Sequence, residues 1–222
     1  MSNIKLAVFD MAGTTVDEDN VVYKTVNRSL TEAGYEFTLE DVLEHGAGKE
    51  KHQAIKDVLA SKGFNNADSE QIFQAFKNNL ERAYSELAVT TFEGVEELLK
   101  ELRKREIKIT LNTGYSYEVA TKLLSKMNWQ AGSQFDVLVT ADDVTNGRPA
   151  PDMILLAMEK TGISASAQVL KAGDSAIDIH EGKNAHCGIT VGVTTGAQTR
   201  EQLLTAEPTF VFDNLADILQ HI

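Results

Sequence analysis

Short apolar runs separated by amphipathic stretches organise most of this chain. KLAVFD at 5–10, IKITLN at 107–112, FDVLVTA at 135–141, QVLKAGD at 168–174, GITVGV at 188–193 and PTFVF at 208–212 read as short buried strands. Between them, 116–127, 151–161 and 175–185 are of helix length, and Val95, Leu98, Leu99 and Leu102 hold the i, i+3, i+4, i+7 spacing of a one-sided helix. Strands alternating with helices predict a parallel α/β sheet. The stretch from about 19 to 87 breaks that alternation, with Phe73, Phe76, Leu80 and Leu87 at helical spacing and no convincing strand. It is read as a helical insertion after the first strand. The expected division is therefore an α/β core from 1–18 and 89–222 and a helical cap from 19–88, with hinges near 16–19 and 88–92.

Composition narrows the function classes. A chain of 222 residues, 42% hydrophobic, can bury a substantial core. Its 21 basic and 33 acidic residues give a net charge of −12, which argues against a nucleic-acid or anionic-membrane surface. The lone Cys187 has no partner for an internal disulfide and is expected to be a small buried residue beside a strand. The apolar stretch near the N-terminus is too short for a signal segment, and no run approaches 18 apolar residues, so a cytoplasmic enzyme is expected. A small-molecule substrate is the expected partner, with any positive field for an anion held locally, and a homodimer is compatible with the pattern.

In parallel α/β sheets, ligands bind beyond the carboxyl ends of the strands, so chemistry is sought there. Asp10 ends the first strand, Thr113 follows the second, Arg148 sits in the loop after the third, and Asp174 with Asp178 follow the fourth. Singly, each is a common turn former, helix cap or surface group. Together they supply oxygen ligands for a hard cation such as Mg²⁺ and donors for phosphoryl oxygens.

Four motifs in this order resemble those of the haloacid dehalogenase superfamily: Asp10-Met11-Ala12-Gly13-Thr14-Thr15, Thr113-Gly114, Gly147-Arg148-Pro149, and Gly173-Asp174 through Asp178. The resemblance covers nearly the whole chain and implies a Rossmann-like parallel-sheet core with a helical cap. It also implies that Asp10 attacks phosphorus to form an aspartyl-phosphate, while Thr113 and Arg148 hold phosphoryl oxygens. Asp10, the Ala12 carbonyl, Asp174 and Asp178 would serve the Mg²⁺. Gly13, Thr14, Gly114 and Tyr115 would line the substrate.

Most members of the superfamily carry a second aspartate two residues after the nucleophile, as general acid; here that position is Ala12. For a phosphate ester this forfeits a contribution of roughly 10²–10⁴-fold. The phosphonatase subgroup has the same pattern, with Asp-x-Ala-Gly-Thr, arginine in the third motif and a cap lysine that forms a Schiff base. Within His45-Gly46-Ala47-Gly48-Lys49-Glu50-Lys51-His52, Lys51 matches that lysine, and His52 is the adjacent candidate for substrate binding. Lys51 falls near the start of a helix running through Ile55, Val58 and Leu59, where the helix end and Lys49 would both favour a neutral amine. The chain departs from the subgroup at Asn20, where a cysteine is usual, and at Ala54, where a histidine is usual. The expectation is a Mg²⁺-dependent C–P hydrolase acting on a 2-oxoalkylphosphonate, with a phosphomonoester phosphatase and a non-catalytic phosphate binder as the other readings.

Overall fold

The computed structural model describes residues 3–47, 49 and 51–222. In chain order its elements are β1 (Leu6–Asp10), α1 (Val21–Glu32), α2 (Leu39–Gly46), α3 (Lys51–Ser61), α4 (Ser69–Glu86), α5 (Val95–Lys104), β2 (Lys108–Asn112) and α6 (Tyr117–Lys126). There follow β3 (Val137–Val139), α7 (Asp152–Thr161), β4 (Val169–Gly173), α8 (Ala176–Asn184), β5 (Ile189–Val193), α9 (Arg200–Leu204) and β6 (Phe210–Phe212). They divide into two compact units, Met1–Asp17 with Val89–Ile222, and Glu18–Ala88.

The first unit is an all-parallel sheet of order β3-β2-β1-β4-β5-β6 with helices between its strands. The chain fills one side from β1 to β3 and then crosses back to lay β4 beside β1. That reversal opens a crevice at the carboxyl ends of β1 and β4, the switch point where such sheets bind ligands. All five residues of β1, β4 and β5 are buried, which is why these runs lack hydrophobic alternation. Helix α5 buries Val95, Leu98, Leu99 and Leu102, with Glu96 and Glu97 in its first turn and Arg103 and Lys104 in its last. That charge order complements the helix dipole.

The third strand is shorter than its apolar run suggests. The Asp136 carboxylate accepts the Ile109 N–H at 2.8 Å, and Thr140 opens a capping box with Asp143. Local side-chain bonds thus take over part of the backbone pairing at both ends of β3, where only Asp136 N–H to the Ile109 carbonyl and Thr113 N–H to the Val139 carbonyl extend the ladder.

The second unit is wholly helical among its described residues. Thr38 and Asp41 form a capping box at the start of α2, and the Asp68 side chain caps α4 by accepting the Gln71 N–H at 3.0 Å. Helix α3 turns Ala54, Ile55, Val58 and Leu59 into the interior of this unit. Gly48 and Glu50, beside the candidate lysine, lie outside the described residues. Among the described residues, no helix is long and apolar enough to cross a membrane.

Candidate active site

The sheet unit brings Asp10, Asp174 and Asp178 together, with carboxylate oxygens all within 4.8 Å of one another and all three residues buried. Asp10 ends β1, and its main-chain carbonyl accepts the Thr15 hydroxyl at 2.8 Å, closing the turn that follows. Within that turn the Met11 carbonyl accepts the N–H groups of Thr14, Thr15 and Val16. Gly13 adopts φ +78°, and a Cβ there would stand 2.9 Å from both Asp174 Cγ and Gly196 Cα. Only glycine lets this turn approach the carboxylate so closely. Thr14 is fully buried and its hydroxyl has no hydrogen-bond partner among the described residues, while Ala12 is half-buried and offers no acid.

Asp174 follows β4, and its Oδ2 accepts the Ala197 N–H at 2.6 Å. Asp178 lies in the first turn of α8, where its Oδ2 accepts the Ser175 hydroxyl at 2.6 Å. Arg148 crosses the site. Its Nη1 sits 2.7 Å from Asp10 Oδ1 and 2.9 Å from Asp178 Oδ1, its Nε is 3.2 Å from Glu181 Oε2, and its Nη2 bonds both the main-chain and side-chain oxygens of Asn112. In this arrangement the guanidinium orients the nucleophile candidate and balances its neighbours. Thr113 is buried at the end of β2; its N–H bonds the Val139 carbonyl at 3.0 Å and its hydroxyl accepts the Tyr115 N–H at 3.2 Å. The hydroxyl proton of Thr113 is thereby left to act as a donor. Gly114 is exposed beside open space, and the Tyr115 carbonyl accepts the Ala141 N–H at 3.0 Å.

Burial pushes Asp10 up to about 6, a rise opposed by Arg148 and reinforced by the Asp178 charge. Burial also raises Asp174, to about 8, with the charges of Asp10 and Asp178 adding to the effect. For Asp178, burial is outweighed by Arg148 and Lys171, and its carboxyl lies below the usual range. A protein that crowds carboxylates this tightly has the donor set and the charge deficit that suit a hard divalent cation. The linkage sign can be tested directly. Groups with raised folded pKa values stabilise the fold below their unfolded value near 3.8 and lose that contribution as pH rises toward 8. The metal-free protein should therefore melt at progressively lower temperature from pH 4 to pH 8, and Mg²⁺ should raise the melting point more at pH 8 than at pH 6. A pH-independent Mg²⁺ effect, read by differential scanning, would count against the cation binding at these carboxylates.

Three residues of the cluster escape motif reading: Asn112, Lys171 and Glu181. Lys171 is fully buried in β4, with Nζ 2.9 Å from Asn112 Oδ1, 3.0 Å from Asp178 Oδ1 and 3.1 Å from Glu181 Oε2. Glu181 is also fully buried, and its Oε1 accepts the Asn112 amide at 2.9 Å. The available signal was a lysine inside the apolar run VLKAG and an acid three residues after Asp178 on the inward face of α8. Charges at such positions need partners.

Lys51 and His52 belong to the helical unit. The Lys51 ammonium donates to the Lys49 carbonyl at 2.7 Å and lies over the Tyr23 ring, 5.0 Å from its centroid. Lys49 itself forms an ion pair with Asp57, which balances its charge within the helical unit. His52 stacks on Phe73 with centroids 4.9 Å apart, and its Nε2 is 3.2 Å from the Ser69 hydroxyl, which ties the ring to α4. Cys187 packs beside the sheet core, partly rather than fully buried, and desolvation pushes its thiol up to about 12.

A parallel α/β unit with acids, a hydroxyl and a guanidinium at its switch point defines a class suited to phosphoryl transfer. The chain belongs to the haloacid dehalogenase-like hydrolase family, whose model matches residues 7–193. Phosphonoacetaldehyde hydrolase from Latilactobacillus sakei is 30% identical over 206 residues, covering 87% of this chain and 76% of that protein. A phosphonoacetaldehyde hydrolase-like protein from Oleispira antarctica has the same fold, with a TM-score of 0.83, 23% identity, and coverage of 99% and 91% of the two chains. A predicted phosphoglycolate phosphatase from Haemophilus somnus also shares it, with a TM-score of 0.80, 22% identity, and coverage of 100% and 99%.

Proposed function

We propose that this hydrolase cleaves the C–P bond of a 2-oxoalkylphosphonate, of which phosphonoacetaldehyde is the simplest, using Mg²⁺, Asp10 and Lys51. The observation that carries the reading is the pairing of Ala12, which removes the general acid, with a lysine at the start of α3. The Lys51 amine condenses with the substrate aldehyde, releasing water and leaving a protonated imine. Asp10 attacks phosphorus, the C–P electron pair flows into the imine, and an enamine departs. No alkoxide forms, so no acid at position 12 is needed. Water then hydrolyses the aspartyl-phosphate, while protonation and hydrolysis of the enamine return acetaldehyde and the Lys51 amine.

The residues divide this work by chemistry. Arg148 holds Asp10 by Nη1, and the Thr113 hydroxyl donates to a phosphoryl oxygen. Asp10, the Ala12 carbonyl and Asp174 would hold the cation, with Asp178 in support; when bound, Mg²⁺ cancels repulsion between the carboxylate and the phosphoryl group. The Lys51 contacts also suit a protonated imine, which keeps one N–H for the Lys49 carbonyl and a cationic face for Tyr23. Gly13, Thr14, Gly114, Tyr115 and His52 are proposed to line the substrate, in a cytoplasmic setting.

One observation favours a phosphate ester instead. Ala54, at the subgroup's histidine position, is buried at 1% exposure, and a Cβ on Gly46 would stand 3.2 Å from its Cβ. A histidine would not fit there, and His52 points to α4. The deciding experiment is incubation of the full chain with phosphonoacetaldehyde and Mg²⁺, assaying phosphate and acetaldehyde together. Equal yields of both are expected. Release of phosphate from small phosphate esters alone would transfer the assignment to a phosphomonoesterase.

A further inference from the structure

Lys171 and Glu181 are absent from the motifs, yet they are the two most deeply buried charges in the sheet unit's ion cluster, each fully enclosed. Lys171 uses Nζ as a tripod on Asn112, Asp178 and Glu181. Glu181 faces Lys171 and Arg148 through Oε2 and is tethered to Asn112 through Oε1. Arg148 and Lys171 thus meet Asp178 and Glu181 as two cations against two anions. With Asp10, which also meets Arg148 at 2.7 Å, and Asp174 added, the ionised cluster carries two more negative than positive charges, a deficit that one divalent cation matches.

We infer that Lys171 and Glu181 are positioning residues of a charge-balanced quartet with Arg148 and Asp178, which orients Arg148 on Asp10 and sets divalent-cation affinity at Asp10 and Asp174. The inference rests on the metal-binding part of the proposed function and is independent of the substrate. Buried ion groups of this kind are costly when one member is removed, because the survivors stay desolvated. A quartet that only held the fold together would serve as well with apolar residues. One that tunes the metal site must transmit its net charge to the cation. Because the groups are close and shielded from water, a change of one charge reaches a doubly charged ion strongly.

The test is calorimetric Mg²⁺ binding to the metal-free full chain, for the wild type, Lys171→Met, Glu181→Gln and the double variant, with melting curves alongside. Lys171→Met removes a positive charge and should tighten Mg²⁺ binding by about tenfold or more. Glu181→Gln removes a negative charge and should weaken it by a similar factor, while the double variant should return to within about threefold of the wild type. Opposite signs are the signature, since structural damage would loosen binding in both single variants. If Lys171→Met does not fold, Lys171→Gln, which removes the same charge and keeps a donor for Asn112, takes its place in the comparison. Unchanged or tighter binding by Glu181→Gln, or weaker binding by both singles, overturns the inference while leaving the metal site in place. A wild type that binds no Mg²⁺ at millimolar concentration overturns the metal reading itself.

Discussion

Asp10→Ala is expected to abolish phosphate release from any substrate while leaving the fold as stable as before or slightly more so. The chemical half follows from its place at the end of β1, where its Oδ1 accepts from Arg148 Nη1 at 2.7 Å. Loss of a nucleophile that forms the covalent intermediate lowers turnover by about 10⁴-fold or more. The stability half follows from the electrostatics. Burial raises Asp10 to about 6, and its charge helps to push Asp174 up to about 8, so removing it relieves repulsion. Arg148 keeps Asp178 at 2.9 Å and Glu181 at 3.2 Å and is not left unpaired. Asp10→Asn provides the companion measurement, since the amide retains an acceptor for Arg148 but is a poor nucleophile. Either variant retaining more than a small fraction of wild-type turnover, with a normal melting curve, would remove the aspartyl-phosphate from the mechanism.

The sequence made the sheet legible because each strand is a short apolar run between helices, and burial on both faces leaves that signature. It also placed Asp10, Thr113, Arg148, Asp174 and Asp178 at strand ends, and the folded unit brings Asp10, Arg148, Asp174 and Asp178 into one cluster. The lower layer of the cluster was illegible for a physical reason. Lys171 sits within an apolar run and Glu181 within a helix, and neither type of position reveals which partner will neutralise it. Only the strand order, with β1 between β2 and β4, brings Asn112, Lys171 and Glu181 to the same depth. In the sequence Lys49 stands as a bare like charge beside Lys51, and only the fold, which brings Asp57 of α3 to Lys49, shows that it is paired.

Lys51→Arg should block imine formation and C–P cleavage with little effect on the helical unit. Arginine can keep a cation above Tyr23 and a donor for the Lys49 carbonyl, so the packing seen around Lys51 is preserved. It cannot supply a neutral amine at working pH, because its guanidinium stays protonated. Borohydride added during turnover of phosphonoacetaldehyde should reduce the protonated imine to a stable secondary amine and inactivate the wild type, and peptide mapping should place the adduct on Lys51. Lys49 should remain unmodified, since its ammonium is paired with Asp57 and held away from nucleophilic use. In Lys51→Arg the adduct should be absent and acetaldehyde formation should fall by about 10³-fold or more, the scale expected when a covalent route is lost. Any phosphate-ester side activity should survive, because Asp10, Thr113, Arg148 and Asp174 need no amine. An adduct on a different lysine, or C–P cleavage that persists in Lys51→Arg, would refute the Schiff-base assignment. Absence of any adduct, with esters hydrolysed equally by both proteins, would instead place the enzyme among phosphatases that act without the acid missing at Ala12.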